Sequence, residues 1–314
     1  MDNFDFYPSK PELVEEKPKG GISLTIFSMV LFVLVFLLIF DELNFILSLL
    51  VVLVIHELGH FVTMKLFKYK NVRMLFIPLM GAFVQGTKRN YSQKESFIVT
   101  AAGPFPGIII GAVLLWYAAQ IQSEWLIELG FLFLLLNLIN LLPLDPLDGG
   151  QMFKLLFRKS NELFLMIFAL LSSIFMIGVG WYFDSYIIML FGFFMGFRVR
   201  ALQKKYQVHR DLQDEEVNYS TTYKLLSNKD FTKIKQVVLS HTPALKKFID
   251  QVSSDESDPI IASQVNSMLV VPLKNDSSLL FRIILIGFWL LSFALPVILF
   301  FALDLEWLFP TVAL

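Results

Sequence analysis

The sequence predicts an all-α polytopic membrane protein with about seven transmembrane helices, a short membrane-dipping β-hairpin and a small helical cytoplasmic insert. Three observations lead there. Of 314 residues, 56% are hydrophobic and only 17% charged, which is far from the balance of a soluble domain. The apolar residues gather into segments close to the roughly 20 residues that cross a bilayer core. One long polar stretch, 201–278, interrupts them. A net charge of −1 leaves no basic excess for a nucleic-acid partner. The absence of cysteine excludes disulfides, thiolate metal sites and a cysteine nucleophile.

Residues 1–20 are polar and contain proline, unlike the basic start and short apolar core of a signal peptide, and are expected to form a disordered cytoplasmic tail. The expected spans are Gly21–Phe40, Leu43–Leu66, Phe97–Ala119, Trp125–Leu142, Leu163–Phe183, Tyr186–Phe197 and Leu279–Leu303. The sixth is short, so the pair around Asp184 reads either as two spans or as a re-entrant hairpin. Between the second and third spans, residues 71–86 are apolar but broken by Pro78, Gly81 and Gly86, which favours a β-hairpin over a helix. The first six spans and this element make a core over 21–200. A last helix with an outer tail follows at 279–314.

Lysine and arginine collect on one side of this arrangement. Lys65, Lys68, Lys70, Arg73, Lys88, Arg89 and Lys94 follow the second helix, Lys154, Arg158 and Lys159 the fourth, and Arg198, Arg200, Lys204 and Lys205 the sixth. The opposite turns carry Asp41, Glu42, Glu124 and Asp184, with Asp304 and Glu306 near the end. The positive-inside rule then puts the amino terminus and the insert in the cytoplasm. Within the insert, Phe231, Ile234, Val237 and Val238 recur at helical spacing. Thr242 and Pro243 read as the start of another helix, with Leu245, Phe248, Ile249 and Val252 on one face.

The second helix contains VVLVIHELGHFVTMKLF, residues 51–67. Ionisable groups at membrane depth are costly and mark function. His56 and His60 share a helix face, the geometry with which two imidazoles grip one metal ion, while Glu57 points beside the metal, where it can take a proton from water. Zinc is the expected metal, in a site of three protein ligands with an open position. A third ligand is needed. His209 and His241 lie in the insert, and Thr63 and Leu66 stand where the HExxHxxGxxH pattern would have its glycine and third histidine. Glu124, Glu128 and Asp184 fall on the outer side, away from the histidines. That leaves Asp145 and Asp148 in NLLPLDPLDGG, residues 140–150, where two prolines and two glycines unwind the chain after the fourth helix. Asp148 is favoured for the uncrowded approach its glycines give. Asp145 reads as a solvated loop acid. Asn140 either caps backbone carbonyls or holds a substrate backbone.

HELGH on an early membrane helix, followed by N-x-x-P-x-x-P-L-D-G-G after a later one, resembles the site-2 protease family of intramembrane zinc metalloproteases. The resemblance covers about residues 43–158 and is closest to the compact branch without a PDZ insert, which includes sporulation sigma-factor proteases and archaeal homologues. It implies one Zn2+ held by His56, His60 and Asp148, with Glu57 as catalytic base and Asn140 in a substrate cleft. Residues 78–86 resemble the family's membrane-dipping β-element, whose Gly81 and Phe83 are then expected to contact a substrate strand. SFIVTAAGP, residues 96–104, resembles the start of its third core helix. Family members often carry an asparagine shortly after this AGP, where Gly107 stands here.

The implied activity is cleavage of a transmembrane or membrane-proximal segment of a single-pass membrane protein, releasing a cytoplasmic factor. It implies a prokaryotic plasma membrane, an active site toward the cytoplasm and a regulatory partner at 201–278. The competing readings are a zinc-binding membrane transporter, which needs ligands along a path through the bilayer, and a non-proteolytic scaffold.

Overall fold

The computed structural model describes residues 7–14, 21–40, 42–78, 81–88, 91–156, 162–271, 273–274 and 276–302. The expected ends beyond them, including Asp304 and Glu306, lie outside the described residues. Helix α1 spans Gly21–Leu37 and α2 Leu43–Leu66, followed by strands β1, Lys70–Ile77, and β2, Gly81–Thr87. These pair antiparallel, Ile77 opposite Gly81 and Met74 opposite Val84, which is the expected hairpin. Gly81 has φ +96°, a conformation glycine adopts without strain. Helix α1 clamps the hairpin: the Thr25 hydroxyl donates to the Met74 carbonyl at 2.7 Å, and the Phe76 N–H donates to Ser28 Oγ at 3.2 Å.

A short strand β3, Tyr91–Ser92, leads into α3, Gln93–Ala101. Ser92 caps α3 by accepting from the Glu95 N–H, and Glu95 in the first turn favours the helix start. The expected third span is divided here, because Pro104 begins α4, Pro104–Ile121, and cannot donate into the preceding turn. Helix α5 is Glu124–Asn140, and α6, Asp148–Leu156, follows the proline-rich loop. Helices α7, Glu162–Tyr182, and α8, Tyr186–Asp214, form a hairpin in which the Ser173 hydroxyl donates to the Gly192 carbonyl at 2.7 Å, one of the small-residue contacts that bring membrane helices close. Five segments among the described residues are long and apolar enough to cross a membrane: α2, the α3–α4 rod, α7, α8 and the last helix α12, whose apolar stretch is Leu279–Leu299. Helices α1 and α5, with 17 residues each, sit at the lower end of the spanning range of roughly 17–25 residues. The chain is an integral membrane protein.

Helix α8 corrects the expected sixth segment. It does not stop at Phe197 but runs through the expected boundary at 200/201 to Asp214. No glycine or proline interrupts 198–214, and Val208 and Leu212 give its far end an apolar face to bury. That face packs on α9, Asn228–Ser240, and α11, Ser254–Met268, while α10, Pro243–Ile249, packs on α9. Phe231, Ile234, Val237 and Val238 are all buried in this second core, as their spacing predicts. Thr242 precedes α10, but its hydroxyl makes no capping bond. His209 is buried: its ring bonds the Met268 carbonyl and the Glu162 carboxylate. Strand β4, Leu273–Lys274, pairs parallel with β3, and α12, Leu279–Ala302, returns along the core, its Trp289 indole donating to the Leu141 carbonyl at 2.8 Å.

Residues 7–14 fall within the stretch expected to be a disordered tail, yet they lie against the insert. The Lys10 ammonium donates to the carbonyls of Tyr223, Lys224 and Leu226, and the Tyr223 hydroxyl donates to the Pro11 carbonyl at 2.8 Å. Leu13 packs on the insert's core. A lysine has three N–H donors, and here each finds a carbonyl. Lys10→Met should therefore speed amide exchange across 223–231 by about ten-fold, corresponding to the loss of about 1.4 kcal/mol of local stability. Hydrogen exchange read by mass spectrometry on the full chain checks this.

Candidate metal centre

Helix α2 carries His56, Glu57 and His60 into the core, where all three are buried at 4%, 4% and 8% exposure. The helical repeat brings both imidazoles to one face, with their Nε2 atoms 3.2 Å apart. Asp148, the first residue of α6, completes the group, its Oδ2 lying 3.0 Å from His56 Nε2 and 3.2 Å from His60 Nε2. Of the described residues, this is the one set of three histidine, aspartate or glutamate side chains gathered closely enough to hold a metal ion.

The other ring nitrogens settle what these atoms are. His56 Nδ1 is 2.8 Å from the Asn137 side-chain oxygen, and His60 Nδ1 is 2.7 Å from the Val99 carbonyl. Both neighbours only accept, so both Nδ1 atoms are donors, and in the neutral rings, the form that binds metal, both Nε2 atoms present lone pairs. Two lone pairs and a carboxylate oxygen at this spacing repel one another and are stabilised by a cation. Tetrahedral zinc with bonds of about 2.0–2.1 Å sets its ligand atoms about 3.3 Å apart, close to the triangle observed. Histidine ligands anchored through the second nitrogen are the usual support of such ions. The residues therefore fit zinc.

Close packing makes the convergence possible. A Cβ on Gly59 would sit 1.8 Å from the Ala102 carbonyl oxygen, and one on Gly103 would sit 2.2 Å from His60 Nε2, so α2 meets the α3–α4 junction without a side chain between. A Cβ on Gly149 would lie 2.0 Å from the Leu141 carbonyl oxygen, which lets the 141–147 loop fold tightly onto α6. Asp145 holds that loop. It is buried, not solvated as expected, and pairs with Lys154 of α6 and, at 3.0 Å, with Arg198 of α8, while its N–H donates to Ser172 Oγ of α7. The mismatch has two causes: Lys154, only nine positions on, is turned back onto the loop by α6, and Arg198 comes from α8, remote in sequence. Burial lowers the pKa of Lys154, opposed by the Asp145 carboxylate.

A cavity of about 530 Å3 opens over the centre, lined by His56, Glu57, His60 and Asp148 together with Asn140, Phe83, Val84 and Arg198. Asn140 and Phe83 thus line this cavity. Gly81 is not among the lining residues and instead pairs with Ile77 at the hairpin turn. Glu57 faces the Val84 backbone N–H, and its Oε2 is buried without a hydrogen-bond partner, a position a water molecule suits. Asn137 and Val99 were missed by sequence reasoning. Asn137 had a readable signal, an amide within an apolar helix, whereas a backbone carbonyl such as that of Val99 leaves none.

The comparisons point the same way as the motif resemblance: residues 44–129 match the model of Peptidase family M50. Two curated relatives match parts of the chain. Over 117 residues the chain is 36% identical to Stage IV sporulation protein FB of Bacillus subtilis, covering 36% of this chain and 40% of that one. Over 140 residues it is 30% identical to a zinc metalloprotease of Methanocaldococcus jannaschii, covering 43% of this chain and 36% of that one. The aligned parts thus span well under half of each relative's length.

Two outcomes test this geometry. The purified chain should carry zinc at about one equivalent, and His60→Ala or Asp148→Ala, each leaving too few ligands, should lose it; elemental analysis after gel filtration reads both. Asp145→Leu strands Lys154 in the interior and should cost about 3–5 kcal/mol of stability, part of which Lys154→Met should restore, as measured by denaturation in micelles.

Proposed function

We propose that this chain is an intramembrane zinc endopeptidase that cuts a transmembrane or membrane-proximal segment of a single-pass membrane protein. The observation that carries the reading is the meeting of His56, His60 and Asp148, brought from two elements to one buried point, with the unpartnered Oε2 of Glu57 alongside and a cavity in front. Zinc, when bound, would act as a Lewis acid that polarises a peptide carbonyl and acidifies water.

The protein's own groups do the rest. Glu57 takes the proton from the attacking water through its free oxygen and then passes it to the leaving amine. Asn140 offers an amide at the cavity wall. Strand β2 pairs only with β1 among the described residues, so its other edge, with Phe83 and Val84 on the cavity, suits an extended substrate added as a further strand. Such a substrate must first unwind, since a helix has no free backbone groups to offer. Arg198, partly exposed at the same wall, bounds the cavity from α8.

The orientation we favour has the amino terminus, the insert and the cleft mouth in the cytoplasm. The clustered lysines and arginines support it. So does the contact of residues 7–14 with the insert, which requires both to lie on one side of the bilayer. A prokaryotic plasma membrane is the setting, in line with bacterial and archaeal relatives. Release of a cytoplasmic factor is the outcome such a site supports. A transporter finds no second candidate metal group among the described residues.

Glu57→Gln should keep zinc and the fold while slowing cleavage by about 10²–10⁴-fold. Membrane proteomics comparing the two forms should find a single-pass protein accumulating in the variant. Undiminished turnover by Glu57→Gln would refute the assignment.

A further inference from the structure

We infer that Asn137 is the positioning residue that sets the tautomer and ring orientation of His56, and that Gly107 is the vacancy that lets it do so. The inference rests on the metal-site reading above and adds to it a residue that neither touches metal nor lines the cavity.

The amide of Asn137 lies fully buried in α5, one turn before the helix end, in a stretch rich in leucine, isoleucine and phenylalanine. At such depth an amide is costly unless both of its ends are bonded. Both are. Its nitrogen donates to the Phe133 carbonyl at 2.7 Å, which fixes which end is nitrogen and which is oxygen. The oxygen is thereby turned toward His56 Nδ1 at 2.8 Å. Of the two neutral tautomers, an acceptor held there admits only the Nδ1–H form, whose lone pair at Nε2 points to His60 and Asp148. A flip of the amide would set its N–H₂ against His56 and leave Phe133 facing an oxygen.

The space for this amide comes from α4. A Cβ at position 107 would lie 2.2 Å from the Asn137 nitrogen, 2.5 Å from its amide carbon and 2.6 Å from its oxygen. All three contacts are with the same planar group, and α4 and α5 pack against each other along this line, so a side chain at 107 must push the amide off His56. His60 has no such dependence, because its Nδ1 partner is a backbone carbonyl that no substitution removes. The two zinc-facing imidazoles are thus supported unequally, one by the main chain and one by a replaceable side chain.

The test is zinc affinity, read by competition with a chelator on the detergent-purified full chain, with gel filtration as the check on folding. Asn137→Leu should weaken zinc binding about 10–100-fold, the usual cost of losing such a supporting hydrogen bond. Asn137→Asp, which still accepts from Nδ1–H, should retain affinity within a few-fold of wild type. Gly107→Ala should weaken binding like Asn137→Leu. In an Asn137→Ala background, where the clashing amide is gone, Gly107→Ala should add no further loss; that non-additivity marks the pair as acting through one contact.

Nitrogen-15 NMR of the histidine rings should report the Nδ1–H form of His56 in the wild type and a mixture in Asn137→Leu. Unchanged affinity in Asn137→Leu, or additive losses in the double variant, would overturn the inference while leaving the metal site intact. Absence of zinc binding by the wild type would instead remove the reading beneath it.

Discussion

Three electron-rich groups, two imidazole nitrogens and a carboxylate oxygen, meet within 3.0–3.2 Å of each other in the interior of a membrane protein. Such an arrangement has no stability of its own: the groups give up hydration and then repel one another unless a cation lies between them. Much of the surrounding structure can be understood as what holds them there. Helix α2 supplies two of the groups by its repeat alone. The third needs a loop, and the loop needs the buried Asp145 between Lys154 and Arg198, together with glycines that let backbone come close to backbone.

The same constraint explains the contrast between the site and its surroundings. Elsewhere the membrane helices meet through apolar side chains and small residues, with long exposed aliphatic faces turned outward, as lipid requires. Around the candidate metal centre the polar groups are answered singly: Asn137 to His56, the Val99 carbonyl to His60, Val84 to Glu57. The free Oε2 of Glu57 is the exception, and it faces the place where chemistry is expected.

A second connection runs from the site to the insert. Helix α8 borders the cavity with Phe191, Phe194, Met195 and Arg198, then continues unbroken until Val208 and Leu212 sit in the core of the insert. On the amino-terminal side, residues 7–14 hold to the insert while α1, farther along the chain, clamps the β1–β2 hairpin that forms another wall of the cavity. The insert is thus in contact with elements that lead to two sides of the same cleft.

The sequence by itself determined the membrane class, the span of α2 to the residue, the β-hairpin and the histidine pair with its glutamate, because each follows from local periodicity or local composition. It also favoured Asp148 over Asp145, for the glycines that follow it. Tertiary structure decided the rest. Whether Asp145 is solvated depends on cations carried by α6 and α8, and where α8 ends depends on a core it helps to build. The role of Asn137 depends on a ring 81 positions away, and the tail's docking on carbonyls more than 200 positions away. Hydropathy and spacing record what a segment is and which face it buries. They do not record which distant group that face will meet, and in this protein the polar contacts that orient the site are of that long-range kind.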